Sequence, residues 1–179
     1  LSEALPELQL ALGDGDDGLR LSGTVGTVLV IGLLTLLPTL LLLMTSFTRI
    51  LVVLHFLRQA LGTQTAPPAQ LIAALALLLT AFVMGPTLSR VNEVALGPWM
   101  DGEIDEVVMM KQASGPFRDF MASQVRESDL ATFLDMSDGP APETVDDIPL
   151  TTLVSAFAIS ELRTAFQIGF VLFLPFLVI

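Results

Sequence analysis

The chain has 179 residues, 53% of them hydrophobic and only 15% charged, with a formal net charge of −11. That balance excludes a disordered chain and is atypical of a soluble domain, in which about 25% of residues are charged. The acidic excess argues against nucleic-acid binding, which needs a basic face to displace counterions, and the lack of Cys removes disulfides, thiolate zinc sites and thiol nucleophiles.

Residues 1–20 form a polar leader with Glu3, Glu7, Asp14, Asp16 and Asp17. It starts at Leu1 rather than an initiator Met, as a chain does after loss of a secretory signal peptide or after trimming. Gly13-Asp14-Gly15-Asp16 has the spelling of the intramembrane aspartyl proteases. That chemistry needs two facing Asp within the membrane, and no apolar block here contains an Asp. Calcium binding fails too, because Leu19 stands where an EF-hand loop needs Gly and Val25 where it needs Glu.

From residue 21 to residue 48 there is no formal charge, and Thr24–Met44 is long enough for the ~20 residues of a spanning helix. The run does not alternate as a barrel strand would, so its backbone is satisfied as helix. Pro38 is expected to kink it. Carried unbroken to Leu61 the helix would reach roughly 57 Å, so it must tilt, break near Thr45–Thr48 or project from the bilayer. Residues 62–68, with Gly62, Pro67 and Pro68, form a turn, and a second helix over 69–89 completes a hairpin.

Residues 90–147 differ sharply, with thirteen acidic against four basic residues and scattered Gly, Pro and Ser. This stretch belongs in water. Short amphipathic helices are expected over Ser114–Arg126 and Ser128–Leu134, the latter without a capping box because Ala131 follows Ser128 at the third position. A further apolar block starts near Pro149 and runs uncharged from Thr164 to Ile179. It stops without a charged or aromatic anchor, so more sequence is expected after it. The predicted class is therefore all-α. Membrane-associated helical hairpins carry an acidic, partly helical insertion, in four parts: 1–20, 21–89, 90–148 and 149–179.

No P-loop, G-x-G-x-x-G or H-E-x-x-H is present. His55, the only histidine, has no carboxylate near it in sequence to orient it, and reads as a packed or helix-surface residue. The sequence thus predicts no enzyme, no cofactor and no metal. The charges within apolar blocks carry more meaning, since such residues are costly in lipid. Arg49 and Arg58 read either as interfacial anchors or as functional groups. Glu161 is two residues from Arg163, about 200° round a helix, so the two do not face each other. Its partner must lie on another segment, on another chain or beyond Ile179, unless it is a protonated or water-exposed group at the membrane edge.

These residues carry a resemblance. SAFAISELRTAFQIGF (155–170) resembles the signature of the FliP family, the flagellar export-gate proteins also found as SctR in virulence type III secretion. MTSFTRILVVL (44–54), LRQALGTQTAPP (57–68) and VRESDLATF (125–133) are similar to further family stretches, in the same order. Arg163 stands where many members have Lys, and His55 is a departure. The family continues into another apolar hairpin, with a Met-rich gasket loop and a basic residue thought to pair with the signature Glu, which here falls beyond Ile179.

The resemblance implies a core subunit of the flagellar export gate. Several copies would ring a pore with FliQ and FliR in the bacterial inner membrane, at the flagellar basal body. Unfolded substrates would pass through, in a helical assembly that rises above the bilayer, with the acidic segment facing the periplasm. It also implies assembly contacts at Glu161, Phe166, Gln167 and Gly169, and at Phe47, Arg49, Arg58 and Arg163. An autonomous ion channel or small-solute transporter is the alternative. It predicts transport by the lone chain, and the broken helices or inverted repeats such proteins use are not evident.

Overall fold

The computed structural model describes residues 24–63, 66–137, 142 and 144–178. The acidic leader, with Asp14 and Asp16, lies outside the described residues. The chain forms two bodies, residues 1–41 and 42–179. The described residues are helical, with no strand among them.

Helix α1 (Thr24–Leu43), which belongs to the first body up to Leu41, is apolar, with Val28, Ile31, Leu34 and Leu36 all exposed. It stays helical through Pro38, where a kink was expected. The interruption comes later, at Met44–Ser46, inside the second body. There the Thr45 hydroxyl donates to the Leu42 carbonyl at 2.9 Å and accepts from the Phe47 N–H at 3.3 Å. A side chain that takes over backbone partners offers the chain an alternative to continued helix.

The second body begins with α2 (Phe47–Ala60). Pro67 and Pro68 precede α3 (Ala69–Val83), and Pro68 at φ −56° already has a helical φ. The expected helix over 69–89 does not end there. At Met84 the chain bends by 60° and runs on through α4 (Gly85–Val91), a π-turn (Asn92–Leu96) and α5 (Gly97–Met100). Pro86 has no N–H to donate to the Phe82 carbonyl, which accounts for a bend at this point. The Met84 and Leu88 N–H groups still donate at 2.8 Å to the Thr80 and Met84 carbonyls.

The first helix of the acidic segment is longer than Ser114–Arg126: α6 spans Glu106–Gln124. Its start was missed because Asp105 is an N-cap, accepting from the Val108 N–H at 2.8 Å, in a stretch of mixed polarity. Pro116 lies buried within it. Then follow α7 (Glu127–Asp135), a 3-10 turn (Val145–Asp147) with a Thr144 capping box, and α8 (Leu150–Val178). Leu150–Phe176 is long and apolar enough to cross a membrane.

Buried residues on α8 recur at Leu153, Ala156, Phe157 and Ser160, one face of a helix, and the buried side turns to Ala165 and Gly169 further along. The face meets α2 at one end and α6 and α7 at the other. Met121, Ile148, Leu153 and Phe157 form a buried cluster, with Phe120 edge-on to Phe157 at 5.9 Å. Of the expected hairpin of 24–61 against 69–89, the contact between α2 and α3 is present, but the main partner of α2 is α8.

Candidate functional site: a polar seam on α8

The polar residues of α8 do not face solvent or lipid as a set. Glu161 is 1% exposed and Ser160 is also 1% exposed, although both sit in a span-length apolar helix. A buried carboxylate must be paired and hydrogen-bonded or its charge is prohibitively costly.

Arg49, in the first turn of α2, meets that need. Its Nε–H donates to Glu161 Oε2 at 2.6 Å and its Nη2–H to Glu161 Oε1, a two-pronged pairing suited to guanidinium and carboxylate. Nη2 also donates to Gln124 Oε1 at 3.1 Å, at the end of α6. The Arg49 side chain keeps 27% of its surface exposed, so the cation retains an open edge while the anion has none. Glu161 thus has a partner within this chain, on another segment. It is not a water-exposed group at a membrane edge.

One residue earlier, Ser160 ties α8 to α7. Its hydroxyl donates to Asp129 Oδ2 at 2.7 Å and accepts from the Arg126 N–H at 3.1 Å. Asp129 is 4% exposed, and its Oδ1 is 3.1 Å from Arg163 Nη2. Arg126 adds hydrogen bonds to Thr164 Oγ1 at 3.2 Å and to Gln167 Oε1. Glu161 and Arg163 point apart, as their spacing requires, each to a partner of opposite charge on a different helix.

The other expected contact residues are spread out. Gly169 is buried against α2, where a Cβ would overlap the Phe56 ring. That ring is edge-on to Phe166 at 5.6 Å and to Phe173 at 6.1 Å. Phe166 keeps 57% exposure. Phe47 is half-buried at the start of α2. Arg58, in the last turn of α2, donates to the Pro67 carbonyl at 3.3 Å. His55 is a packed helix residue, its Nδ1 2.9 Å from the Leu51 carbonyl.

Sequence reasoning missed Gln124, Arg126, Asp129, Ser160 and Thr164. The polar residues at 160, 161, 164 and 167 in an otherwise apolar helix were the available signal, since that spacing is one helix face. Among the described residues no group of three or more His, Asp or Glu is placed to hold a metal.

The fold and seam together define an all-α, membrane-associated protein whose intrahelical charges serve helix-to-helix contact. Residues 30–179 match the FliP family, and the chain belongs to that family. It is 48% identical over 160 residues to the flagellar biosynthetic protein FliP of Bacillus subtilis (strain 168), covering 89% of this chain and 72% of that protein. Against the protein of the same name from Pectobacterium carotovorum subsp. carotovorum it is 47% identical, covering 87% and 60%. For Aquifex aeolicus (strain VF5) the figures are 40% identity, 98% and 72%. The chain therefore spans 60% to 72% of the length of these relatives.

Proposed function

We propose that the chain is a core subunit of the flagellar protein export gate. Membership of the FliP family makes it a component of the flagellar export apparatus, at the membrane of the flagellum. In this reading several copies assemble with FliQ and FliR around a pore through which unfolded flagellar proteins cross the inner membrane. The role is structural rather than catalytic. Residues 21–89 and 149–179 form the apolar helical parts after the 1–20 leader, and 90–148 faces the periplasm.

The supporting observation is a division of labour across the surface. Ion pairs are satisfied inside the chain, while apolar ridges face outward and await neighbours. Leu71, Leu75, Leu78 and Phe82 make one exposed stripe on α3, with Phe82 at 85% exposure. Phe166, Phe170 and Leu174 do the same on α8. Exposed apolar stripes of this kind meet either protein or lipid, and in this reading part of them meets neighbouring subunits. Phe47, Arg58, Arg163, Phe166 and Gln167 then contact neighbouring subunits, and Arg49, Glu161 and Gly169 act by holding the chain in its assembling shape.

The test is the native mass of the full-length protein co-expressed with FliQ and FliR and purified in mild detergent. A discrete complex with several copies of this chain and both partners supports the gate. A lone chain that ignores both partners overturns it and brings the transporter reading forward.

A further inference from the structure

Arg58 is a cation without an anion. It sits half-buried in the last turn of α2, in a stretch where no Asp or Glu occurs from residue 18 to residue 92. Arg49, the other Arg of α2, answers Glu161, but among the described residues no carboxylate pairs with Arg58. A guanidinium offers five N–H groups. Here Nη1 donates to the Pro67 carbonyl at 3.3 Å, and Nε is buried with no acceptor. A charged group left so far short is costly, and the partial negative charge at the end of α2 offsets only part of that.

With Gln59, Gly62 and Thr63, Arg58 lines a cavity of about 350 Å³. The Thr63 hydroxyl donates to the Arg58 carbonyl at 3.1 Å, which leaves Arg58 and the Gln59 amide as the side-chain donors of this cavity. A second cavity, of about 280 Å³, is lined by Leu51, Val52, His55, Phe56 and Gln59, and is mostly apolar. Gln59 is common to both. At about 100° per residue, the α2 members of the two sets fall within about 160° of arc. The cavities therefore lie along one side of α2, with the cationic one at its end.

We infer that this side of α2 binds one anionic phospholipid, its phosphate at Arg58 and Gln59 and an acyl chain in the cavity of Leu51, Val52 and Phe56. Charge and shape select the occupant. A free phosphate would leave the apolar cavity empty, and a zwitterionic lipid would bring an ammonium group to a place with no acid to receive it. Residues 50–57 and 69–89, on either side, carry no formal charge. Arg58 and the turn at 62–68 thus stand at the end of two apolar helices, the level at which a bilayer has its phosphates. The site is built within one chain, so it does not depend on assembly with FliQ and FliR. Where Arg58 also meets a neighbouring subunit, the lipid lies in that contact.

The full-length protein in mild detergent is titrated with phosphatidylglycerol and, separately, with phosphatidylcholine, and bound lipid is counted by native mass spectrometry. One phosphatidylglycerol per chain should be retained, about tenfold more tightly than phosphatidylcholine. Arg58→Gln should weaken that binding about tenfold, through loss of a charge-assisted contact. Val52→Trp, which fills the apolar cavity and keeps the cation, should weaken it as well, and stands as the test if Arg58→Gln does not fold. Arg90→Gln, a cation outside both cavities, should leave it unchanged. Equal retention of the two lipids overturns the inference, as does a folded Arg58→Gln or Val52→Trp protein that binds like the parent. Competition by inorganic phosphate at the lipid's own concentration would assign Arg58 to a free anion. Release of the lipid on binding of a partner subunit would assign it to a protein carboxylate. Either of those also overturns it.

Discussion

Arg49 and Glu161 are 112 positions apart in the chain, yet the Arg49 Nε–H donates to Glu161 Oε2 at 2.6 Å. Because Glu161 is sealed and Arg49 is not, the two partners are not equivalent. Removing one partner of a buried pair leaves an uncompensated charge and costs about 3–5 kcal/mol, whereas replacing both by apolar residues is often near neutral.

Arg49→Ala should therefore destabilise the chain more than Glu161→Gln, because it strands a carboxylate with no access to water. The double variant Arg49→Met with Glu161→Leu should recover most of the loss. Thermal unfolding in detergent measures all three, and equal melting points for the two single variants would contradict the asymmetry.

At Gly169 the expectation is steric. An added methyl must displace the Phe56 ring, and overpacking of this kind costs typically about 1–3 kcal/mol. Gly169→Ala should lower the melting temperature, and Phe56→Leu should relieve it in the double variant. A Gly169→Ala protein that melts like the parent would show that α2 and α8 move apart freely.

Ser160→Ala removes a hydroxyl that both donates to Asp129 and accepts from Arg126. Leaving buried groups unsatisfied costs about 1–3 kcal/mol. The effect should be local: faster hydrogen exchange at the start of α7, with α3 unchanged. Uniform acceleration over the whole chain would mean that the α7 contact has no stability of its own.

The surface pair Arg90–Asp119, at 2.8 Å, has side chains 58% and 50% exposed. Exposed pairs are worth under about 1 kcal/mol, so Arg90→Gln should leave the melting temperature almost unchanged. A large drop would show that Arg90 serves something other than this pair.

Length arithmetic required the first helix to tilt, to break near Thr45–Thr48 or to project from the bilayer, and the structure shows a break at Met44–Ser46. Apolar runs located α3 and α8. The bend at Met84 was not foreseen, although Gly85-Pro86 was in plain view, since the loss of one backbone donor need not end a helix. That Glu161 and Arg163 diverge followed from helix spacing, but spacing is silent on what lies across the interface. Arg49, Gln124 and Asp129 reach the seam only through the packing of α2, α6 and α7 on α8, over separations of 31 to 112 positions. The start of α6 was missed for a local reason, a single Asp105 cap in a stretch without clear periodicity.

The bend at Met84 also governs where this chain is open to attack. Backbone hydrogen bonding carries on through it, from Thr80 to Leu88, so the sequence passes from an apolar helix into acidic territory with no slack loop. A protease needs a segment it can pull into extended form, and this passage offers none. Cleavage by a protease added to the folded chain should thus spare the change in composition, where a linker would ordinarily be sought.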